Sequence, residues 1–421
     1  MKIKWDLRLI ISIVIFVAIV GGSILSCYLK GKRQGDFAVY YSAATAFKEG
    51  LDPYDTPNLS RALGQAESNP YNYPPDTLYV YLPLTYFSLG TAARIFLSLK
   101  LGAVCILLIL WNRIFRFKEH LYLLFLVAPL AFNGALLDDL GAGNISVFEQ
   151  MFIWIGFYYY SRGKIAVFAA AVIVASAFKF VSILLLLLLV TRLRKTDFVC
   201  LIVSGVVFAL SVAINALVWP HLFAGFVTNM LNLSGADRGD TNPALLIFLN
   251  DVTQWMELKS GYVIPGIVTS IIYLMICGAT AYAGWLAFSR MRSMDQIKAD
   301  RWRICLICLL YAMLMPRFKN YSYILIIAPA LYAIVSRPLA KAWMPFCVLL
   351  VIYTYREFNV LGNAMSPFYQ AGAEYYSLFM AWFVGGLFCY SFLTDFSASA
   401  GEIDQEPGYR PAPGEKPRLD S

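Results

Sequence analysis

The sequence predicts an all-α, polytopic membrane protein. Hydrophobic residues make up 59% of the 421 residues and charged residues 14%, whereas a soluble domain carries about 25% charge. The mean hydropathy is +0.63. Apolar stretches follow one another with short polar gaps, and most are long enough to cross the ~30 Å hydrocarbon core of a bilayer. We therefore expect a bundle of about ten to twelve transmembrane helices.

Clusters of basic residues predict which ends of the helices face the cytoplasm. They account for the net charge of +8 without a nucleic-acid partner, and they place both termini in the cytoplasm of what we expect to be a bacterial plasma membrane. Residues 165–191 then form two short helices, and residues 77–90 form a short re-entrant or tilted helix. The other predicted spans are 9–29, 95–112, 120–136, 145–161, 198–219, 263–288, 304–316, 321–336, 342–354 and 376–394.

The sequence divides into one membrane domain and a tail. Residues 1–395 form the domain, with outer segments at 30–76 and 220–262, and residues 396–421 are predicted to be a disordered cytoplasmic tail because they contain Pro, Gly and charge with few apolar residues. Eight scattered cysteines form no CxxC pair, and there are only two histidines. This composition gives no disulfide framework and makes a histidine-based metal site or catalytic triad improbable.

Asp36 is the strongest candidate catalytic residue. A helix over residues 36–49 places Asp36 and Tyr40 on one face, one turn apart, and Gly50 ends that helix. A carboxylate on a helix at the membrane interface is well placed to take a proton from a hydroxyl acceptor. The alternative is an N-terminal helix cap at a wet surface.

Aromatic residues enrich the first outer segment. Tyr54 follows Asp52 in a predicted turn, and Tyr73 precedes a Pro-Pro pair that prevents a helix before residue 75 and favours one after it. These rings, together with Tyr40, predict a floor for bound sugars. An aromatic belt at the membrane interface explains them equally well.

Residues 137–144 are predicted to join two spans. Asp138, Asp139 and Asn144, together with two glycines, indicate a backbone that approaches a ligand closely. The two carboxylates are also oxygen ligands of the kind a divalent cation prefers, although we predict no bound metal. A polar loop with a helix cap is the alternative.

Cations on the predicted outer face indicate an anion site. Lys179 lies between two apolar helices, where a lysine is costly unless it pairs or snorkels. Arg317 and Lys319 lie in an outer turn, against the usual charge asymmetry, and an anion such as phosphate would hold them there. Arg356 is a further candidate, although Glu357 is a possible partner for it.

These motifs together resemble glycosyltransferase family 87, the polyprenyl-phosphate-mannose-dependent mannosyltransferases of the GT-C superfamily. The similarity covers most of residues 9–336. The motifs that carry it are Asp36-x-x-x-Tyr40, Gly50-x-Asp52-Pro53-Tyr54, Tyr73-Pro74-Pro75, Pro83-Leu84, Gly141-x-Gly143-Asn144 and Lys179.

The resemblance implies a GT-C fold in which the first outer loop carries the catalytic aspartate, here Asp36, and the lipid-linked donor enters sideways from the bilayer. Two motifs depart from the family pattern. Residues 141–144 read GAGN, where a glutamine is expected after the first glycine. Residues 316–321 read PRFKNY, where several relatives resemble a tryptophan- and histidine-rich turn, so Arg317 and Lys319 would replace histidine at the phosphate.

The function predicted from these features is sugar transfer, with inversion, from a polyprenyl-phosphate donor to a lipid-linked or glycan hydroxyl acceptor on the outer face. Mannose is implied by resemblance alone, and no cofactor is expected, although a divalent metal is not excluded by the sequence. A lipid-linked sugar transporter is the rival class, but it would favour ionisable residues near the bilayer midplane and matching halves. A non-catalytic assembly partner of an envelope polysaccharide synthase is a third possibility.

Overall fold

A computed structural model describes residues 6–29, 34–64, 68–192, 194–232, 239, 241–337, 341–353 and 373–394. Of these residues 85% are helical and none lies in a β-strand, which confirms the all-α prediction. Six of the described helices are long and apolar enough to cross a membrane, which confirms a polytopic membrane protein. The predicted tail lies outside the described residues.

Each predicted span overlaps a helical segment of the structure. The α-helices, in chain order, are α1 Leu7–Leu29, α2 Gly35–Lys48, α3 Thr56–Leu63, α4 Leu78–Tyr81, α5 Leu89–Phe115, α6 Leu121–Ala142, α7 Ser146–Tyr160, α8 Ile165–Phe178, α9 Lys195–Val218, α10 Pro220–Asn232, α11 Leu245–Ser260, α12 Gly266–Met291, α13 Gln296–Leu314, α14 Ile327–Ser336, α15 Met344–Ile352 and α16 Tyr376–Thr394. Segments of 3₁₀-helix occur at Pro75–Thr77, Leu82–Tyr86, Lys118–His120, Phe180–Arg192 and Asn320–Ile326.

Two of these segments correspond to the irregular spans predicted from the sequence. The first is α4 with its flanking 3₁₀ turns, which together form only short helical pieces before α5 begins. The second is α8 followed by the 3₁₀ segment Phe180–Arg192. Lys179 separates these two because its backbone is extended, with φ −139° and ψ 105°.

The helices differ in how much of their apolar surface the protein covers. The main core lies among α5, α6, α7, α13 and α14. By contrast, only 11% of the most apolar window of α9 and 17% of that of α12 is buried inside the protein. Helices that are apolar on their uncovered faces are typical of contact with lipid.

Helix α2 is held against the membrane bundle by aromatic packing. Phe37 stacks on Phe96 of α5 with ring centroids 4.6 Å apart, and Tyr40 stacks on Tyr81 of α4 at 4.9 Å. Burying a large apolar side chain contributes about 1.5–3 kcal/mol. These contacts fix the first turn of α2, which carries Asp36, beside the junction of α6 and α7.

Helix α6 contains a left-handed turn that the sequence did not reveal. Phe132, Asn133 and Gly134 have φ values of 53°, 58° and 70°, and the helix then resumes and continues to Ala142. The segment predicted as a loop over 137–144 is therefore largely helical, which corrects that expectation. Left-handed backbone costs roughly 1–2 kcal/mol at each non-glycine residue, so packing around the turn must compensate for it.

Gly143 allows α2 to approach the end of α6. Its φ is +71°, and a Cβ atom there would lie 2.6 Å from Cβ of Gln34 and 2.9 Å from Cβ of Phe37. These two residues flank Asp36 on both sides. Only glycine meets both requirements, the positive φ and the close contact.

We predict that Gly143→Ala destabilises the protein more than Gly163→Ala. Both glycines have φ above +70°, but a Cβ on Gly163 meets nothing within 4 Å. The shared cost of left-handed backbone at alanine is roughly 1–2 kcal/mol, and overpacking adds roughly 1–3 kcal/mol at Gly143 alone. Thermal unfolding of the detergent-purified variants measures the difference. Equal shifts in the two variants would contradict the close approach of α2.

Candidate active site

Asp36 lies on the first turn of α2 and is half-buried, with its carboxylate held by Asn144. The Nδ2 of Asn144 donates to Oδ2 of Asp36 at 2.6 Å and to the hydroxyl of Tyr40 at 3.1 Å. Asn144 is only 2% exposed. Its Oδ1 accepts from the backbone N and the Oγ of Ser146 at 3.0 and 2.8 Å. Since Oδ1 is committed to Ser146, the amide nitrogen must face Asp36.

The two tyrosines next to Asp36 serve as hydrogen-bond groups. The hydroxyls of Tyr40 and Tyr73 are 2.9 Å apart. Burial raises the pKa of Tyr40 well above its usual value, and the neighbouring groups, which include Asp36 and Tyr321, add to the rise. Burial also raises the pKa of Tyr73. Both phenols therefore stay protonated near neutral pH, and Asp36 is the group in this cluster suited to accept a proton.

Lys179 is connected to Asp36 through two side chains. Its Nζ donates to Oγ of Ser146, which in turn donates to Asn144. The ammonium also pairs with Glu149 at 2.9 Å. Pairing with a carboxylate lowers the cost of placing a lysine between apolar helices. The cation is thus held close to the carboxylate of Asp36.

The turn at residues 317–321, which precedes α14, brings a second cation to the same place. Nζ of Lys179 lies 5.1 Å from the ring centroid of Tyr321, and Nζ of Lys319 lies 5.9 Å from it. Arg317 is half-buried on this turn, and the backbone N of Phe318 donates to Asn242 at 2.7 Å. Lys179 and Lys319, predicted from the sequence as phosphate ligands, therefore share one aromatic neighbour.

Asp138 and Asp139 point to different partners. Asp138 accepts from Nδ2 of Asn320 on the turn that precedes α14. Asp139 is 0% exposed and pairs with Lys100 of α5 at 2.7 Å. A fully buried, ion-paired carboxylate cannot contact a substrate, so the predicted substrate role of Asp139 is corrected to a structural one. Within the described ranges, no group of three or more His, Cys, Asp or Glu side chains could hold a metal ion.

Tyr54 and Tyr40 are buried and do not offer a face to a sugar. Tyr40 is 2% and Tyr54 is 5% exposed, which corrects the predicted sugar floor because neighbouring rings cover them. The hydroxyl of Tyr54 donates to the backbone O of Tyr73 at 2.6 Å, and Oδ1 of Asp52 accepts from the backbone N of Tyr54 at 2.9 Å. Asp52 and Tyr54 thus shape the segment between α2 and α4. Of Tyr40, Tyr54 and Tyr73, Tyr73 alone is half-buried. Arg356 lies outside the described residues.

Sequence reasoning missed two charged residues of the site. Lys100 and Glu149 lie inside the predicted spans 95–112 and 145–161 and are 0% and 3% exposed. An ionisable residue within a membrane span is a functional candidate by default, so the position of Lys100 and Glu149 inside predicted spans is the sequence signal that identifies them. Ser146 and Glu149 also share a helix face at i, i+3 spacing.

The comparison with known families decides the class of protein. The sequence model of glycosyltransferase family 87 matches residues 71–316, which is more than half of the chain. The chain belongs to glycosyltransferase family 87. It is therefore a membrane glycosyltransferase, with a sugar donor and an acceptor as substrates. No curated protein and no solved structure matches the chain significantly.

The family match covers only part of the candidate site of this glycosyltransferase. Asn144 and Lys179 lie within the matched residues, together with Tyr73. Asp36 precedes the match and Lys319 follows it. The hydrogen bonds and ring contacts described above are what join these residues to the matched part.

We predict that Lys179→Met lowers the unfolding temperature and that Glu149→Gln in the same chain restores most of the loss. The single change leaves the carboxylate of Glu149, 4% exposed, without its cation, which should cost about 3 kcal/mol. The double variant removes both charges. Thermal unfolding in detergent measures this, and a double variant as unstable as the single one would contradict the pairing.

Proposed function

We propose that this family 87 enzyme transfers a hexose from a polyprenyl-phosphate donor to a hydroxyl acceptor, with inversion, on the non-cytoplasmic face. Mannose is the sugar suggested by the motif resemblance. The observation that carries the proposal is the linked pair of charges at one end of the bundle. Asp36 is oriented by the buried Asn144, and Ser146 connects that amide to Lys179.

Asp36 acts as the general base. One carboxylate oxygen accepts from Asn144, and the other has no hydrogen bond to the described residues, which leaves it for the acceptor hydroxyl. As Asp36 takes the hydroxyl proton, the acceptor oxygen bonds to the anomeric carbon, and the bond from that carbon to the phosphate oxygen breaks on the opposite face. Displacement from the opposite face inverts the anomeric centre.

The cations near Tyr321 stabilise the leaving group. Negative charge grows on the phosphate as the bond breaks, and fixed cations aimed at that position lower the barrier. Lys179 and Lys319 both lie within 6 Å of the Tyr321 ring, and Arg317 is on the same turn. An Arg side chain can bind phosphate as a fork and a Lys as a point charge. These residues supply the charge without a cofactor.

The distribution of basic residues supports the outer face as the place of reaction. The basic clusters that we predict to be cytoplasmic include Arg113, Arg192 and Arg290, which lie in the last turns of α5, the 3₁₀ segment after Lys179, and α12. Lys179 lies at the opposite end of the 3₁₀ segment from Arg192, beside Asp36 and the turn at 317–321. The family match favours a transferase over a lipid-linked sugar transporter, because the matched family is one of glycosyltransferases.

We predict that Asp36→Asn abolishes nearly all transfer. The substitution keeps size and polarity but removes the proton acceptor, and losing a general base costs about 10²–10⁴-fold in rate. Transfer from a polyprenyl-phosphate sugar into lipid-linked or glycan acceptors in isolated membranes measures the effect. Wild-type activity in this variant would end the assignment of Asp36 as the base.

Asp55→Asn is the matched control for that experiment. Asp55 is an exposed carboxylate in the same outer segment, so the same chemical change should leave transfer unaltered. Asp55→Cys also tests the face, because a membrane-impermeant maleimide added to intact cells should label it above the background of the native cysteines. Labelling only from the cytoplasmic side would contradict the proposed location.

We predict that Lys319→Ala and Arg317→Ala each raise the KM for the donor about tenfold or more and change the KM for the acceptor little. Each substitution removes one charged contact to phosphate, and such hydrogen bonds contribute about 1.5–3 kcal/mol. Lys259→Ala, an exposed lysine at the end of α11, is the control. An unchanged donor KM in both test variants would exclude these side chains from the phosphate site.

A further inference from the structure

Lys100 makes two contacts to one residue of α6. Its Nζ lies 2.7 Å from Oδ1 of Asp139 and donates to the backbone O of the same residue at 2.5 Å. Both side chains are 0% exposed. A pair formed only to neutralise charge would need only the contact between the Lys100 ammonium and the Asp139 carboxylate. The additional hydrogen bond to the backbone O of Asp139 fixes the backbone of α6 as well.

The carbonyl that Lys100 holds also ends the helix. The backbone N of Gly143 donates to the O of Asp139 at 3.0 Å, and the backbone N of Asn144 approaches it at 3.3 Å. Three donors therefore converge on one oxygen. Lys100 helps to determine where the chain leaves α6, and this is the place from which the side chain of Asn144 reaches Asp36.

This end of α6 is separated from the rest of the helix. The left-handed turn at 132–134 interrupts the helical backbone, so residues 135–142 do not take their direction from residues 121–130. Before this segment, Oγ of Ser377 donates to the backbone O of Phe132 at 2.9 Å. Near its end, Lys100 donates to the backbone O of Asp139. A short segment that follows strained backbone needs such external contacts to keep one orientation.

We propose that Lys100 is a positioning residue of the transfer reaction, which acts through the carbonyl of Asp139 to aim Asn144 at Asp36. The inference rests on the proposed role of Asp36 as the base. Lys100 touches no substrate. It affects the reaction by setting the orientation of the carboxylate, and a shift of even 1 Å in a positioned group can cost a large factor in rate.

The test is the double variant Lys100→Met/Asp139→Leu. Replacing both partners of a buried ion pair with apolar residues of similar volume usually preserves folding. We expect an unfolding temperature close to wild type and a kcat lowered about tenfold or more, with the donor KM changed less than about twofold. We also expect faster amide hydrogen exchange in peptides that cover residues 140–147 and unchanged exchange in α9.

Arg192→Gln is the control. It removes one cation from another buried cluster at the far end of the 3₁₀ segment from Lys179, where Asp300 lies 2.5 Å from Arg192 and 3.1 Å from Arg303, so Asp300 keeps a charged partner. This control should keep kcat and the exchange of residues 140–147 at wild-type values. If Lys100→Met/Asp139→Leu does not fold, Lys100→Met/Asp139→Asn tests the same expectations, since it removes both charges and the donor to the carbonyl while keeping the shape of the side chain at position 139.

Two results would overturn the proposal. Wild-type kcat and wild-type exchange at 140–147 would show that Lys100 does not position the site. Faster exchange throughout the bundle, with a lowered unfolding temperature, would show a role in stability alone. The exchange measurement does not depend on activity, so it separates a failure of this proposal from a failure of Asp36 as the base, which Asp36→Asn tests directly.

Discussion

The side-chain amide of Asn144 is the interaction on which the rest of the site depends. Its nitrogen is shared between Asp36 and Tyr40, and its oxygen is held by Ser146. Asp36 and Tyr40 belong to α2, whereas Asn144 and Ser146 belong to the junction of α6 and α7. One buried amide therefore joins the helix that carries the proposed base to the bundle that carries the lysines. A buried polar group needs all its partners, because an unsatisfied one costs about 1–3 kcal/mol.

The same constraint explains why the charges of the site occur in pairs. Lys100 pairs with Asp139, and Lys179 with Glu149. A lone ammonium in so apolar a bundle would be expensive, so each lysine lies where a neighbouring helix supplies a carboxylate. The two pairs differ in exposure, because Lys100 is fully buried whereas the Lys179 side chain is 19% exposed. This difference leaves Lys179 able to meet a ligand and confines Lys100 to the scaffold.

The sequence predicts the spans well because long apolar runs and basic clusters are local signals. It also indicates Lys179, since a charge between two apolar helices stands out in any window. The Lys100–Asp139 and Lys179–Glu149 pairs are beyond local reasoning, because each joins helices whose packing no window contains. The left-handed turn in α6 leaves only a faint hydropathy signal, since Asn133 is one polar residue in an otherwise apolar run, although Asn133-Gly134 is a dipeptide typical of turns. The burial of Tyr40 and Tyr54 is equally beyond local pattern, because a tyrosine in the core and a tyrosine under a sugar are the same residue type in a similar local sequence.

The two departures from the family pattern acquire a physical meaning from the structure. In GAGN, Gly143 permits the close approach of α2, and Asn144 orients Asp36. The residue that differs from the family pattern is Ala142, which has neither role and is the last residue of α6. In PRFKNY, Lys319 lies 5.9 Å from the ring centroid of Tyr321, the ring that Lys179 approaches to 5.1 Å. The turn that departs from the tryptophan- and histidine-rich pattern therefore keeps one cationic side chain next to another. The departure changes the kind of group on this turn and leaves intact the clustering of positive charge that the proposed phosphate site requires.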